Sequence, residues 1–349
     1  MKTSADINER TAAIGRTIKR YPVQLGAIFL CVVFLGGLEA RRHFSAVPAR
    51  QWNSSNLTRI RVADPDNFAF AVFGDNRNSQ YVFENLLRLI DHDRDISFAV
   101  SLGDMVQRGE KGRYRWFLQQ VGNNLSIPLL TAMGDHERRG AGPGLFREIF
   151  GSPHYSFKIG KNYFIVLDNG DGKELDPEQK RWLVKALEKS AQCDTCSVFL
   201  NAPLFHPPGG THHPSRTKDC SEKLIRLFLK YGVTHIFASH IHGFFKGRWE
   251  GIAFSITGGA GAALRGTDPE NHFFHFLKVN VRNGNIRVEV KHVPFAASEW
   301  IRRFNYAVWL RVSSFLRFHG IPFLLMLFCG VLAMDIYRRA SNSKETLRN

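Results

Sequence analysis

Phe68-Ala69-Phe70-Ala71-Val72-Phe73-Gly74-Asp75 is a continuous apolar run that stops on Gly-Asp. A run with no polar face predicts a strand buried on both sides, as in a parallel sheet covered by helices. The same ending recurs along the chain. Ile96 to Leu102 runs into Gly103-Asp104, and Ile127 to Met133 runs into Gly134-Asp135-His136-Glu137. Val198-Phe199-Leu200-Asn201 leads to His206, and His235 to Ser239 leads to His240-Ile241-His242. Open α/β sheets bind ligands beyond the carboxyl ends of their strands. Asp and His residues gathered at that edge are what a two-metal hydrolytic site requires.

Helical patterns separate these strands. Gln80 to Asp91 carries apolar residues at helical spacing, and Lys223 to Lys230 reads as a helix. Asp176-Pro177-Glu178 is an N-cap and first-turn signature for a helix over Pro177 to Lys189. The later part is richer in strands. Ile252 to Thr257 precedes the turn Gly258-Gly259-Ala260-Gly261, and Asn283-Gly284-Asn285 joins Phe273–Val279 to Ile286–Val290 as a hairpin. The expected fold class is α/β, with two packed β-sheets flanked by helices.

Two apolar segments flank this region. Val23 to Leu38 lies between Lys19-Arg20 and Arg41-Arg42, and Ile321 to Ala333 is followed by Arg338-Arg339. Each is at the short end of the roughly 17–25 residues a span needs. The expected organisation is a basic tail over 1–21, a transmembrane helix over 22–39 and a linker over 40–65. A catalytic domain over 66–295 follows, then a basic amphipathic interfacial segment over 299–318, a transmembrane helix over 319–337 and a tail over 338–349. Glu39 and Arg41-Arg42 fit a signal-peptide cleavage site badly, so the first segment reads as an uncleaved anchor. Five Lys/Arg before it (Lys2, Arg10, Arg16, Lys19, Arg20) match five after it (Arg41, Arg42, Arg50, Arg59, Arg61), so the positive-inside bias ties. The form of the N-terminal anchor places the domain outside the cytoplasm.

The chain has 349 residues, 44% hydrophobic, and a formal charge of +16. Trp52 to Ser298 holds 31 Lys+Arg against 25 Asp+Glu, leaving 16 against 6 in the flanks, so most of the excess lies outside the domain. That placement points to an anionic membrane surface. No zinc-finger, RNP or recognition-helix pattern accompanies the charge, which argues against nucleic acid. Cys193, Cys196 and Cys220 leave three readings open: a disulfide such as Cys196 with Cys220, free thiols, or a structural zinc using His212 or His213. His235, His272, His275 and His292 sit in strand-like stretches and read as structural.

Taken in order, the blocks at Asp75, Asp104, Asp135-His136-Glu137, His206 and His240–His242 resemble the calcineurin-like metallophosphoesterase superfamily, nearest its purple-acid-phosphatase-like branch. The connecting phrases Tyr155-Ser156-Phe157, Phe164–Asp168 and Gly258–Gly261 match as well. The resemblance implies Asp104 as a bridging carboxylate between two metal ions, of Mn, Fe or Zn. It places Asp75 and His242 on the first metal, and Asp135, His206 and His240 on the second. His136 would face the substrate, with Glu137 orienting its ring, and the nucleophile would be a water activated by metal.

Three positions depart from the family's pattern. Arg77 stands where a first-metal His is common, Asp135 where Asn is usual, and Ser239 where Gly is usual. A guanidinium matches phosphate in a bidentate manner, so Arg77 is expected to bind the substrate phosphate, with Asn76 or water completing the first metal's sphere. The resemblance implies hydrolysis of a phosphomonoester or phosphodiester, on a soluble phosphorylated molecule or a membrane or lipid-linked phosphate. The alternative is a degenerate, membrane-anchored fold that binds a phosphorylated ligand.

Overall fold

The computed structural model describes residues 21–44, 46–172, 174–207, 218–266, 268–295 and 306–345. Residues 1–20 of the expected basic tail, His212 and His213, and residues 299–305 of the basic segment lie outside the described residues.

Residues Val47–Arg311 form one compact unit built on two sheets. The first has the order β11-β10-β1-β2-β3. Here β1 is Asn67–Phe73, β2 Ile96–Ser101, β3 Leu129–Thr131, β10 His275–Arg282 and β11 Asn285–His292. β1, β2 and β3 are parallel, and β10 and β11 are antiparallel additions at one edge. The second sheet has the order β4-β5-β6-β7-β9-β8. Its strands are β4 Tyr155–Ile159, β5 Asn162–Val166, β6 Thr195–Phe199, β7 His235–Ala238, β8 Phe244–Trp249 and β9 Ile252–Thr257. β5, β6, β7 and β9 are parallel, with β4 and β8 antiparallel at the edges.

The alternation along β1 shows how the layers are made. Phe68, Phe70 and Val72 face the space between the sheets, where they meet Phe98, Phe164, Phe199 and Phe237. Phe70 stacks on Phe98 at 5.1 Å and meets Phe164 edge-on at 5.6 Å. Ala69, Ala71 and Phe73 face outward onto the helices α3 (Tyr81–His92), α4 (Lys111–Asn124) and α5 (Gly142–Phe150), and the short α2 (Trp52–Leu57) packs beside β3. The second sheet is covered outside by α6 (Pro177–Ser190) and α7 (Lys218–Lys230). Both faces of the central strands are therefore apolar, which is why they read as unbroken runs.

Local signals hold where they rest on backbone chemistry. Asp176 caps α6 by accepting the Gln179 N–H at 2.8 Å. Asn283 and Gly284 take φ of 46° and 74°, the left-handed pair that a two-residue hairpin loop demands. β8, with exposed Lys246-Gly247-Arg248, and the β4–β5 pair were not read as strands from the sequence. Cys193, Cys196 and Cys220 are free thiols, one of the three sequence readings, which sets aside the Cys196–Cys220 disulfide; burial pushes the Cys196 thiol up to about 11.

The remaining residues form a separate unit. It contains α1 (Pro22–Phe44) and most of α8 (Tyr306–Glu345). The stretch Val308–Ser341 of α8 is long and apolar enough to cross a membrane, and almost none of it is buried. The apolar part of α1, Pro22–Leu38, is too short to pass the same test, so the structure supports one candidate span where two were expected. The expected interfacial segment and second span run together as the single helix α8, whose Tyr306 and Leu310 are buried in the core of the domain unit.

His235 and His275 are buried, and desolvation drops each ring to about 4. The unfolded chain takes up these protons near pH 6.5, so the stability they permit is complete above that pH and is lost as pH falls toward 4. Urea unfolding of the detergent-solubilised chain between pH 7 and 4 should show this loss. In His275→Gln the dependence should be shallower by up to about 1.4 kcal/mol per pH unit.

Candidate metal centre

The site lies where β1, β2, β3 and β7 end. The loops there approach so closely that side chains are excluded. A Cβ on Gly134 would stand 2.3 Å from Asp104 Oδ1 and 2.5 Å from Asp104 N. The residues after these strand ends turn sharply, with φ of 62° at Asp75, 45° at Arg77, 53° at Asp104 and 68° at His240. Such left-handed backbone costs roughly 1–2 kcal/mol per non-glycine residue and persists only where surrounding bonds hold it.

Those bonds are present. Asp75 Oδ2 accepts the His240 N–H at 2.7 Å, which ties the first sheet to the second. Asp104 Oδ1 accepts the His136 N–H at 3.1 Å. Ser239 Oγ donates to the Leu102 carbonyl at 3.1 Å and accepts from Asn201 Nδ2 at 3.1 Å, so it links β7 to β2. Asn76 donates its amide to the Met105 carbonyl at 2.9 Å.

Glu137 is fully buried, and its role differs from the expected one. Its Oε2 accepts the N–H groups of Asp104 at 2.7 Å and Gly134 at 2.8 Å, and its Oε1 accepts that of Val106 at 3.1 Å. Burial, reinforced by the Asp104 charge, pushes its carboxyl up to about 8. The ring of His136 is positioned instead by the Gln107 carbonyl, 3.0 Å from Nδ1. Glu137 thus clamps the loops after β2 and β3 rather than orienting the ring.

Arg77 is corrected as well. Its Nη2 donates to Asp104 Oδ2 at 2.7 Å and lies 3.4 Å from Asp75 Oδ1. The side chain is buried against the carboxylates rather than presented to solvent. Burial opposes its charge, but Asp104 and Asp75 hold its pKa above the usual arginine value. Burial likewise pushes the Asp104 carboxyl up, yet Arg77, His136 and His240 together outweigh it and hold the group well below the carboxylate range.

Asp104, Asp135 and His240 come together, each offering a ligand atom within 4.8 Å of the others. Asp135 Oδ1 is buried without a hydrogen bond, 3.3 Å from His240 Nδ1. An orphaned carboxylate oxygen beside an imidazole fits a divalent cation of the Mn, Fe or Zn kind. Burial pulls His240 down, but Asp135 and its neighbours hold it raised. His242 directs Nε2 to Asp75 Oδ1 at 3.2 Å and Nδ1 to the Ala263 carbonyl at 2.5 Å. His206 is exposed and is not gathered into this group.

The sequence reading missed two residues. Arg265 is exposed; partial desolvation, then the charge of Arg77, lower its pKa, and it also feels the charges of Asp75, Arg311 and Asp135. Tyr306, at the start of α8, shares a hydrogen bond of 2.9 Å with Ser79 and donates to the Gly261 carbonyl at 2.7 Å. Neither lies in a motif; the fold brings each to the loop after β1 or the turn after β9.

Comparison with known proteins agrees with this architecture. Residues 68–244 match the calcineurin-like phosphoesterase family. The serine/threonine-protein phosphatase CPPED1 of Rattus norvegicus is 26% identical over 187 residues, 48% of this chain and 60% of that protein. In fold, the chain is similar to purple acid phosphatase PPD1 from yellow lupin, Lupinus luteus, at a TM-score of 0.51 and 18% identity. That match covers 65% of this chain and 52% of the lupin protein. It is also similar to GAP50, the anchor in the inner membrane complex of Plasmodium, at a TM-score of 0.51 and 15% identity, over 67% of this chain and 87% of that one. The chain thus spans between about half and 60% of the length of the rat and lupin relatives.

Replacing Glu137 with Ala strands three buried N–H groups at once. The expected cost is about 3 kcal/mol or more, measured by denaturant unfolding. A loss below about 1 kcal/mol would show that these amides find other acceptors.

Proposed function

The chain belongs to the calcineurin-like phosphoesterase family, and from that premise we propose that it hydrolyses a phosphoric ester with the help of metal bound at Asp104, Asp135 and His240. The observation that carries this reading is the convergence of those three ligand atoms, with a buried Asp135 oxygen among them that makes no hydrogen bond. A bound divalent ion lowers the pKa of water to about 7 and polarises a phosphoryl oxygen.

The protein's own groups do the rest. With Nδ1–H of His136 donating to the Gln107 carbonyl and burial holding the ring's pKa below its ordinary value, Nε2, 4.0 Å from Asp135 Oδ2, is left as an acceptor that can take a proton from the attacking water. Arg77 fixes Asp104 in place, and Arg265 adds positive charge where phosphoryl oxygens gather. Glu137 holds the loops that carry Asp104 and Asp135.

The proposed substrate is a phosphomonoester or phosphodiester, and a membrane or lipid-linked phosphate in particular. Two facts support the membrane part. The apolar stretch of α8 begins at Val308, and Tyr306, two residues earlier, is bonded to Ser79 on the loop that carries Arg77.

Hydrolysis of aryl phosphomonoesters and phosphodiesters by the detergent-purified chain, titrated with Mn²⁺, Zn²⁺ and Fe²⁺, tests the proposal. Metal-dependent turnover is expected. Asp104→Asn should lower it by more than the roughly 10–100-fold typical of groups that merely support a ligand. No turnover with any metal, together with no bound metal, would instead make the fold a binding module for a phosphorylated ligand.

A further inference from the structure

The oxygens Asp104 Oδ2 and Asp75 Oδ1 converge on one point, and Arg77 Nη2 stands there. Sequence resemblance assigns that position to a first metal ion, held by Asp75, Asp104 and His242. Several features keep the guanidinium in it. The Arg77 backbone is left-handed and its N–H donates to the Asp104 carbonyl at 2.9 Å, while the next N–H, of Asn78, donates to the Met105 carbonyl at 3.0 Å. The side chain therefore starts beside the carboxylates it meets. It is 6% exposed, so withdrawal would strand a buried cation and two buried anions. An imidazole can be a ligand when neutral, whereas a guanidinium keeps its charge and has no lone pair to offer.

The other side of Asp104 is built in the opposite sense. There Asp135 supplies a second carboxylate beside His240. One place gains a fixed cation and the other gains an anionic ligand.

We propose that the centre binds a single divalent ion at Asp104, Asp135 and His240, and that the Arg77 guanidinium replaces the partner ion. This rests on the metal-site reading given above. The charges support it. Arg77 and Arg139 already pair with two of the three carboxylates Asp75, Asp104 and Asp135, so one divalent ion more than matches the charge that remains, and another would add two further positive charges. Arg77 is then a permanent part of the centre: it positions Asp104 and supplies charge that does not depend on metal supply.

Metal content distinguishes the possibilities independently of turnover. The full-length protein in detergent is stripped with chelator, loaded with Mn²⁺ and desalted. Metal per chain and the paramagnetic resonance spectrum are then measured for it and for Arg77→His, with circular dichroism to confirm folding. The wild type should hold about one ion with the spectrum of an isolated centre. Arg77→His should hold about two with the spectrum of a coupled pair. Two ions in the wild type would overturn the proposal, as would no gain in a folded Arg77→His. If that variant does not fold, His242→Gln decides: an unchanged ion count supports the proposal, and a drop overturns it. No ion in the wild type but one in Arg77→His would remove the Asp104–Asp135–His240 site while leaving Arg77 in the place of a metal.

Discussion

The carboxylate of Glu137 sits where two strands run out of partners. Beyond β2 and β3 the sheet ladder stops, and the N–H groups of Asp104, Val106 and Gly134 turn inward where water does not reach. One buried carboxylate satisfies all three, and each would otherwise be a costly orphan. The consequence is geometric. The loops carrying Asp104 and Asp135 are locked at one separation, Asp104 can then accept from His136 and Arg77, and Asp75 can reach across to His240. The site is thus a by-product of solving the hydrogen-bond problem at the end of a sheet.

Much of this was legible in the residues. Central parallel strands announce themselves because both faces are covered, so Phe68–Phe73 shows no polar alternation and stops abruptly at Gly-Asp. The hairpin at Asn283-Gly284 and the cap at Asp176 are local chemistry and need no tertiary knowledge. The edge strand β8 was invisible because Lys246 to Arg248 face solvent and interrupt the apolar signal.

The direction of side chains was not legible. Whether Arg77 points at a ligand or at a carboxylate depends on a left-handed φ imposed by bonds to the Asp104 loop, a contact 27 residues away in sequence. The resemblance implied that Glu137 orients the ring of His136, its neighbour in the chain, yet its acceptors were claimed by backbone groups, two of them on the loop after β2. Tyr306 lies 227 residues from Ser79, and no motif forecasts that pairing.

The left-handed ligands have an evolutionary consequence. Asp75, Asp104 and His240 hold a conformation that asparagine tolerates better and glycine adopts freely. Exchanging Asp104 for a neutral residue would nevertheless leave the buried Arg77 cation without its nearest partner, and exchanging Asp75 for glycine would leave the His240 N–H without its acceptor. Relief of the backbone and loss of a buried partner therefore oppose one another, and drift at these positions has no downhill path in stability. The two acids and the histidine are thus fixed in place as much by what the fold would lose as by what the site can do.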